Sequence, residues 1–151
     1  MDSKVKKLIK TYLKTGRLMS VATVTGHQPW SFNAYYVSDE KLNIYWISPL
    51  HTRHSKDIKK NKKVAGTIPI KFKNITVVGL QFEGDAMLIE NTSEIKRAIR
   101  LYTDKHERGE DWYKDFLAGK NIHKLYRIAP RLFVLYDREN FPESPSKEWR
   151  L

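Results

Sequence analysis

The amino-acid sequence predicts an α+β protein in which a mostly antiparallel β-barrel of roughly six strands carries flanking helices. Three observations support this fold class. An amphipathic segment opens the chain, short alternating segments follow in close succession, and helical patterns interrupt them. The 151 residues, 40% of them hydrophobic, fit one domain (1–151) with its own core better than two.

The first helix is predicted from the spacing of five apolar residues that fall on one face, with lysines on the other: Val5, Leu8, Ile9, Tyr12 and Leu13. Gly16 is expected to end it. A short helix is predicted over 52–61, a third begins at the capping box of Asn91 and Glu94, and another covers 111–117.

The predicted strands are rich in β-branched and aromatic residues and are bounded by turn residues; they cover 18–25, 30–37, 42–48, 64–68, 75–90 and 123–136. Gly79 and Gly84 predict bulges or a bend in the long fifth segment. Pro130 is expected to interrupt the last segment, and residues 140–151 are assigned no element.

The net charge of +11 comes from 28 basic and 17 acidic residues. Such an excess attracts nucleic acid, a membrane surface or a small anion, or only keeps a surface solvated. No nucleic-acid motif accompanies the charge, so we do not expect a nucleic-acid partner. The sequence contains no long apolar run and no cysteine. We therefore expect no membrane association, no thiolate metal site and a cytoplasmic location.

The segment from Ser48 to Lys56 is the most informative one for function, because it leaves a strand and opens a helix. The first backbone N–H groups of a helix lack internal partners, and they bind phosphate readily. Thr52, Arg53 and His54 add a hydroxyl, a guanidinium and an imidazole at that point. A capped surface helix with solvated basic side chains fits the same pattern, so both interpretations stay open.

Two further segments are candidates for a surface that binds a flat ring. Alternation places Trp30 and Ala34 on one face of their strand and Asn33 on the other, which offers an apolar surface and an amide. Gln81, between two glycines, points either to a site or to solvent. A half-buried strand with a polar outer face explains each segment equally well.

Together these segments resemble the pyridoxamine 5'-phosphate oxidase-like, FMN-binding split barrels, and within them a bacterial YhbP-like branch. The likeness extends from about Leu18 to Asp137 and rests on these motifs: Trp30-Ser31, Asn33-Ala34 and Tyr36; Thr52-Arg53-His54; Val64-Ala65-Gly66-Thr67; and Gly79-x-Gln81-Phe82-x-Gly84. The resemblance implies a split barrel that forms a homodimer with FMN at the interface.

The resemblance also implies roles for individual residues. Trp30, Asn33 and Ala34 would contact the flavin ring, Ser48 and Leu50 the ribityl chain, and Thr52, Arg53 and His54 the phosphate. Oxidase members present Ser, Arg and Lys at these last three positions, so His54 is a departure. Gln81 lies near the position of a flavin-contacting glutamine, and Trp149 is a candidate to cover the site from the neighbouring subunit.

Two functions follow from the resemblance as hypotheses, and a nucleic-acid binder attracted by the +11 charge is a third, against which the missing nucleic-acid motifs argue. The first is an FMN-dependent oxidoreductase acting on a small substrate, with NADH or NADPH as candidate reductant. The second is a non-catalytic protein that binds flavin or another phosphorylated ligand on the same fold. The oxidases' C-terminal substrate-binding set has no match here, so a true pyridoxamine 5'-phosphate oxidase is not expected. No catalytic residue and no metal ligand is assigned.

Overall fold

The computed structural model describes residues 2–151, which form eight strands and four helices. The elements follow one another as α1 (Ser3–Thr15), β1 (Leu18–Thr25), β2 (Gln28–Tyr35), β3 (Val37–Ser38), β4 (Ile44–Pro49), α2 (Arg53–Lys60), β5 (Lys63–Lys71), β6 (Val78–Leu88), α3 (Thr92–Lys105), α4 (Glu110–Leu117), β7 (His123–Asp137) and β8 (Ser146–Arg150).

All strands pair antiparallel in one curled sheet with the order β2-β1-β5-β6-β7-β4-β3. The 15-residue β7 is shared, because its first half pairs with β4 and its second half with β8. The predicted α+β class with an antiparallel split barrel is therefore confirmed. β3 and β8 were not predicted, because β3 has only two residues and β8 follows a proline-containing segment with few apolar residues.

The sequence predicted bulges at Gly79 and Gly84 in β6 and an interruption at Pro130 in β7. Register shifts lie at Gly84 and opposite Gly79, as expected for bulges. Pro130, in contrast, does not interrupt β7: it pairs with Gly84 within the bulge, where a missing N–H donor is tolerated. A Cβ on Gly84 would overlap the carbonyl oxygen of Ala129, which explains the glycine. β6 begins only at Val78, and Ile75 is 99% exposed.

Helix α1 lies against the inner face of the sheet and ends at Gly16, as predicted. Gly16 has an extended backbone, so no positive φ demands a glycine there. A side chain would instead collide with the hydroxyl of Tyr36, which donates a 2.7 Å hydrogen bond to the carbonyl of Leu13. Tyr12 donates a 3.0 Å hydrogen bond to the fully buried Asp137 at the end of β7.

Two hydrophobic clusters stabilise the fold. The main cluster fills the inside of the curl, where Trp46 and Phe133 are completely buried. A smaller cluster lies between helices α3 and α4 and the outer side of β4 and β7, around Ile99 and Leu125. Asn91 caps α3 as predicted by accepting from the N–H of Glu94. Within residues 2–151, no helix has the length and apolarity to cross a membrane.

Candidate functional site

The candidate site is the turn between β4 and α2. The hydroxyls in this turn are satisfied within it: Ser55 donates to the carbonyl of Pro49 at 2.8 Å, and Thr52 accepts from the N–H of Ser55 at 3.2 Å. Thr52 is thus the N-cap of α2. The backbone N–H groups of Arg53 and His54 have no hydrogen-bond partner among residues 2–151. They are the unpaired donors that the sequence predicted at this helix start.

Arg53 supplies the positive charge of the turn. Its guanidinium carbon lies 4.1 Å from the ring centroid of Trp30 on β2, which is 42% exposed. Within the described part of the chain, Arg53 forms no salt bridge. The helix start therefore combines two free N–H donors, a guanidinium without a carboxylate partner and an exposed indole.

His54 is held inside the protein. Its Nε2 lies 2.7 Å from the hydroxyl of Ser48, and its ring stacks on Phe32 with centroids 3.7 Å apart. The indole N–H of Trp46 donates to Ser48 at 3.1 Å. Ser48 therefore links the indole of Trp46 to the imidazole of His54. Burial lowers the pKa of His54 to about 4 against the opposing charge of Asp57, so the ring is neutral at pH 7.

Asp57 fixes α2 to the sheet and was not singled out from the sequence. It accepts hydrogen bonds from Thr25 at 2.7 Å and from Thr23 at 2.8 Å on β1. The hydrogen bond from Thr25, aided by that from Thr23, holds the pKa of Asp57 below its usual range although burial acts in the opposite direction. The one sequence signal for this role is an isolated acidic residue in a helix that is otherwise rich in lysine.

The residues predicted to hold a ring separate into two groups. Trp30 lies beside Arg53, and Ala34 packs against the main core. Asn33 points to the outer face, where its side-chain oxygen accepts from Ser20 at 2.6 Å. A row of paired residues continues from Ser20 through Thr67 to Gln81. Asn33 and Gln81 therefore share the outer face, about 14 Å apart at three strand spacings.

This row borders an open groove of about 420 Å³ on the outer face of the sheet. Its lining combines small, hydroxyl and amide side chains, among them Ala22, Ser31, Ala65 and Gln81. Small side chains on an exposed sheet face allow another surface to approach closely.

Leu50 and Trp149 lie apart from the groups above. Leu50 is 52% exposed in the turn before Thr52. Trp149 pairs with Phe133 in the second half of β7, and the ammonium group of Lys6 lies 5.3 Å from its ring centroid. The turn at Pro49 adjoins His123 at the other end of β7, ten residues or roughly 33 Å along the strand. Trp149 therefore pairs with the half of β7 that does not adjoin the turn, and its side chain packs against the main core.

The titratable groups of the turn are engaged with other protein groups. Residues 2–151 contain no group of three or more His, Cys, Asp or Glu side chains that could hold a metal ion. The hydrogen bonds of the turn instead involve Ser48, His54 and Asp57, each already engaged with another protein group. The chemistry available here is anion binding by N–H donors and one guanidinium.

Comparison with known proteins agrees with this architecture. A family model described as pyridoxamine 5'-phosphate oxidase matches residues 5–132. A UPF0306 protein of Photorhabdus laumondii is 30% identical over 90 residues, which are 58% of this chain and 63% of the relative. The matched segment therefore spans less than two thirds of that relative.

Two solved structures are similar in fold. A conserved hypothetical protein of Mycobacterium tuberculosis has a TM-score of 0.78 at 17% identity, covering 94% of this chain and 88% of that one. The heme storage protein HutZ of Vibrio cholerae has a TM-score of 0.63 at 20% identity, covering 83% and 89%. At these identities the likeness concerns the fold alone.

Proposed function

The chain belongs to the pyridoxamine 5'-phosphate oxidase family, and from this premise we propose that it is a homodimeric FMN-binding oxidoreductase that acts on a small substrate. The observation that carries the proposal is the start of α2. There, two backbone N–H groups and the guanidinium of Arg53 are without protein acceptors, next to the exposed ring of Trp30.

The donor set fits a phosphate monoester. A helix N-terminus carries partial positive charge, and charged hydrogen bonds from a guanidinium reinforce it. Thr52 and His54 contribute less than the sequence predicted, because the hydroxyl of Thr52 caps the helix and the imidazole of His54 is neutral and bonded to Ser48. Arg53 is therefore the main side chain in the proposed phosphate site, and the backbone supplies the other donors.

The outer face of the sheet supports the rest of the proposal. Asn33 and Gln81 present amides on a face with a 420 Å³ groove, and this face is suited to pack against a second copy. A flavin ring between two such faces would meet amide partners at its polar edge. Trp149 is proposed, from the family resemblance, to contribute from the partner subunit.

In such a site the flavin, when bound, supplies hydride transfer. The protein's part is to bind, orient and exclude water. Arg53 holds the phosphate, Trp30 shields one side, and the fixed turn between Pro49 and Ser55 keeps the donors in place. Neutral His54 keeps the base of the site rigid by stacking on Phe32.

Titration with FMN and with riboflavin tests the proposal. Arg53→Ala should weaken FMN binding by about 1.5–3 kcal/mol and leave riboflavin binding nearly unchanged, because only FMN carries the phosphate. Arg97→Ala, an exposed arginine on α3, serves as the charge-matched control. A wild-type protein that binds neither ligand, or an Arg53→Ala variant that keeps the full preference for FMN, would refute it.

A second candidate is flavin binding without turnover. One observation favours it. The titratable side chains at the turn, His54 and Asp57, both form internal hydrogen bonds, so neither is free to exchange a proton with a substrate. Anaerobic mixing of the flavin-loaded protein with NADH or NADPH distinguishes the two. Bleaching of the flavin absorbance at a useful rate supports the oxidoreductase, whereas a flavin that stays oxidised supports storage.

A further inference from the structure

A cavity lies on the other side of α2, away from Arg53 and Trp30. It has a volume of about 900 Å³ and opens between α2, the last residues of β6 and the first half of β7. This volume is in the range of sites for small organic molecules. Arg53 and His54 face β2, so the cavity and the proposed phosphate site use different sides of the same helix.

The walls of the cavity are mostly apolar. They are formed by Leu50 from the turn, Ile58 from α2, Ala86, Met87 and Leu88 from β6, and Ala129 from β7. Leu50 and Met87 both line the cavity and are 52% and 50% exposed, so the cavity presents apolar surface to water. An occupant with an apolar body would remove this surface from water.

One polar group lies at the base of the cavity. Tyr126 is 3% exposed, stacks on Trp46 and lines the cavity. Every fully buried side-chain polar atom of residues 2–151 has a hydrogen-bond partner, yet the hydroxyl of Tyr126 bonds to no other described residue. The small exposed part of this side chain therefore includes the hydroxyl, which faces the cavity and offers a hydrogen bond to an occupant.

The rim of the cavity is positively charged. Lys56, Lys59, Lys62 and Arg127 surround it, against one carboxylate, Asp85. Asp85 is already paired with Arg131 and lies 3.8 Å from Lys62, and Arg127 is paired with Glu94. Within residues 2–151, Lys56 and Lys59 form no salt bridge, so they are available to an anion.

From these observations we propose that the cavity between α2 and strands β6 and β7 is a second ligand site, which binds an amphipathic organic anion. The apolar body lies between Leu50 and Met87, the anionic group lies at Lys56 and Lys59, and the hydroxyl of Tyr126 bonds to a polar atom of the ligand. The site lies on the side of α2 away from Arg53 and Trp30, and Leu50 is the one residue of its wall that the resemblance also assigns to FMN.

Fluorescence of anilinonaphthalene sulfonate, an aromatic anion, tests the proposal on the full chain with saturating FMN present. Binding should saturate, and dodecanoate should displace the probe whereas dodecyltrimethylammonium, its cationic counterpart, should not. Ala129→Trp fills the cavity from an exposed strand position and should weaken binding at least about tenfold. Ala118→Trp, an exposed position at the end of α4, is the control.

Two single-residue variants test the polar contacts. Lys59→Glu should weaken binding about threefold to tenfold, while Lys114→Glu, also in the last turn of an eight-residue helix, should not. Tyr126→Phe keeps the ring and should weaken dodecanoate binding about twofold to tenfold. Absence of saturable binding, equal binding by Ala129→Trp, or displacement by the cationic detergent would overturn the proposal. Binding that vanishes on adding FMN would assign the probe to the other site and overturn it as well.

Discussion

Replacing His54 tests whether a buried neutral imidazole supports the start of α2. The folded protein keeps the pKa of His54 at about 4, whereas the unfolded chain has the ordinary value of 6.5. Between these values the unfolded state binds a proton that the folded state does not. The contribution of His54 to stability is therefore unchanged above about pH 6.5 and becomes increasingly unfavourable as the pH falls towards 4.

The magnitude follows from the two pKa values. A fall from 6.5 to about 4 corresponds to at most roughly 3.4 kcal/mol between the two protonation states. Because part of the ring reaches solvent, we discount this to about 2 kcal/mol. His54→Gln removes the titrating group but retains side-chain atoms that can bond to Ser48. Compared with the variant, the wild type should lose about 2 kcal/mol more stability on acidification.

Urea unfolding followed by tryptophan fluorescence, repeated from about pH 7.5 to about pH 4.5, measures this difference. His27→Gln, in the exposed turn between β1 and β2, is the control and should follow the wild-type pH dependence. The carboxylates titrate in all three proteins, so their contribution cancels. Parallel curves for wild type and His54→Gln would show that the imidazole is not held neutral, and the account of the turn would be wrong.

Two further outcomes are expected. Thr67→Arg places a charge in the middle of the outer sheet face and should convert the proposed dimer to monomer in light scattering; a wild type that is already monomeric would disprove the dimer. Tyr12→Phe should lower the free energy of unfolding by about 1–3 kcal/mol in urea, because buried Asp137 loses a hydrogen bond. Burial pushes the pKa of Asp137 up, but hydrogen bonds from Asn140 and Tyr12 hold it below its usual range, so this loss should shrink in acid. An unchanged stability at neutral pH would contradict the second prediction.

The sequence predicted those features that depend on neighbours in the chain. The helix at Asn91 was predicted because its cap forms three residues away, and the bulge at Gly84 because a glycine inside a strand often marks a bulge or a close backbone approach. Strand β8 was missed because its pairing with β7 is long-range and its own pattern is weak. Pro130 was misjudged because the bulge beside it, at Arg131 on β7, depends on the long-range pairing with β6.

The same distinction between local and long-range features applies to the candidate site. The free donors at the start of α2 were predictable, since any helix leaves its first N–H groups unpaired. The state of His54 was not, because Phe32 and Ser48 reach it from two other strands. Asp57 was missed for the same reason: its partners lie on β1, more than thirty residues earlier in the chain.

The polar groups of the eight-residue helix α2 fall into two sets, one bonded to the rest of the protein and one available to a ligand. The first set forms hydrogen bonds that fix the direction of the helix: His54 bonds to Ser48, Ser55 to the carbonyl of Pro49, and Asp57 to β1. Arg53 and the first N–H groups have no such bonds to other protein groups. The side chain that would titrate near neutral pH is held neutral by burial. For the proposed phosphate site, we therefore expect a pH dependence of binding that follows the second ionisation of the phosphate itself, near pH 6, rather than the protonation of His54.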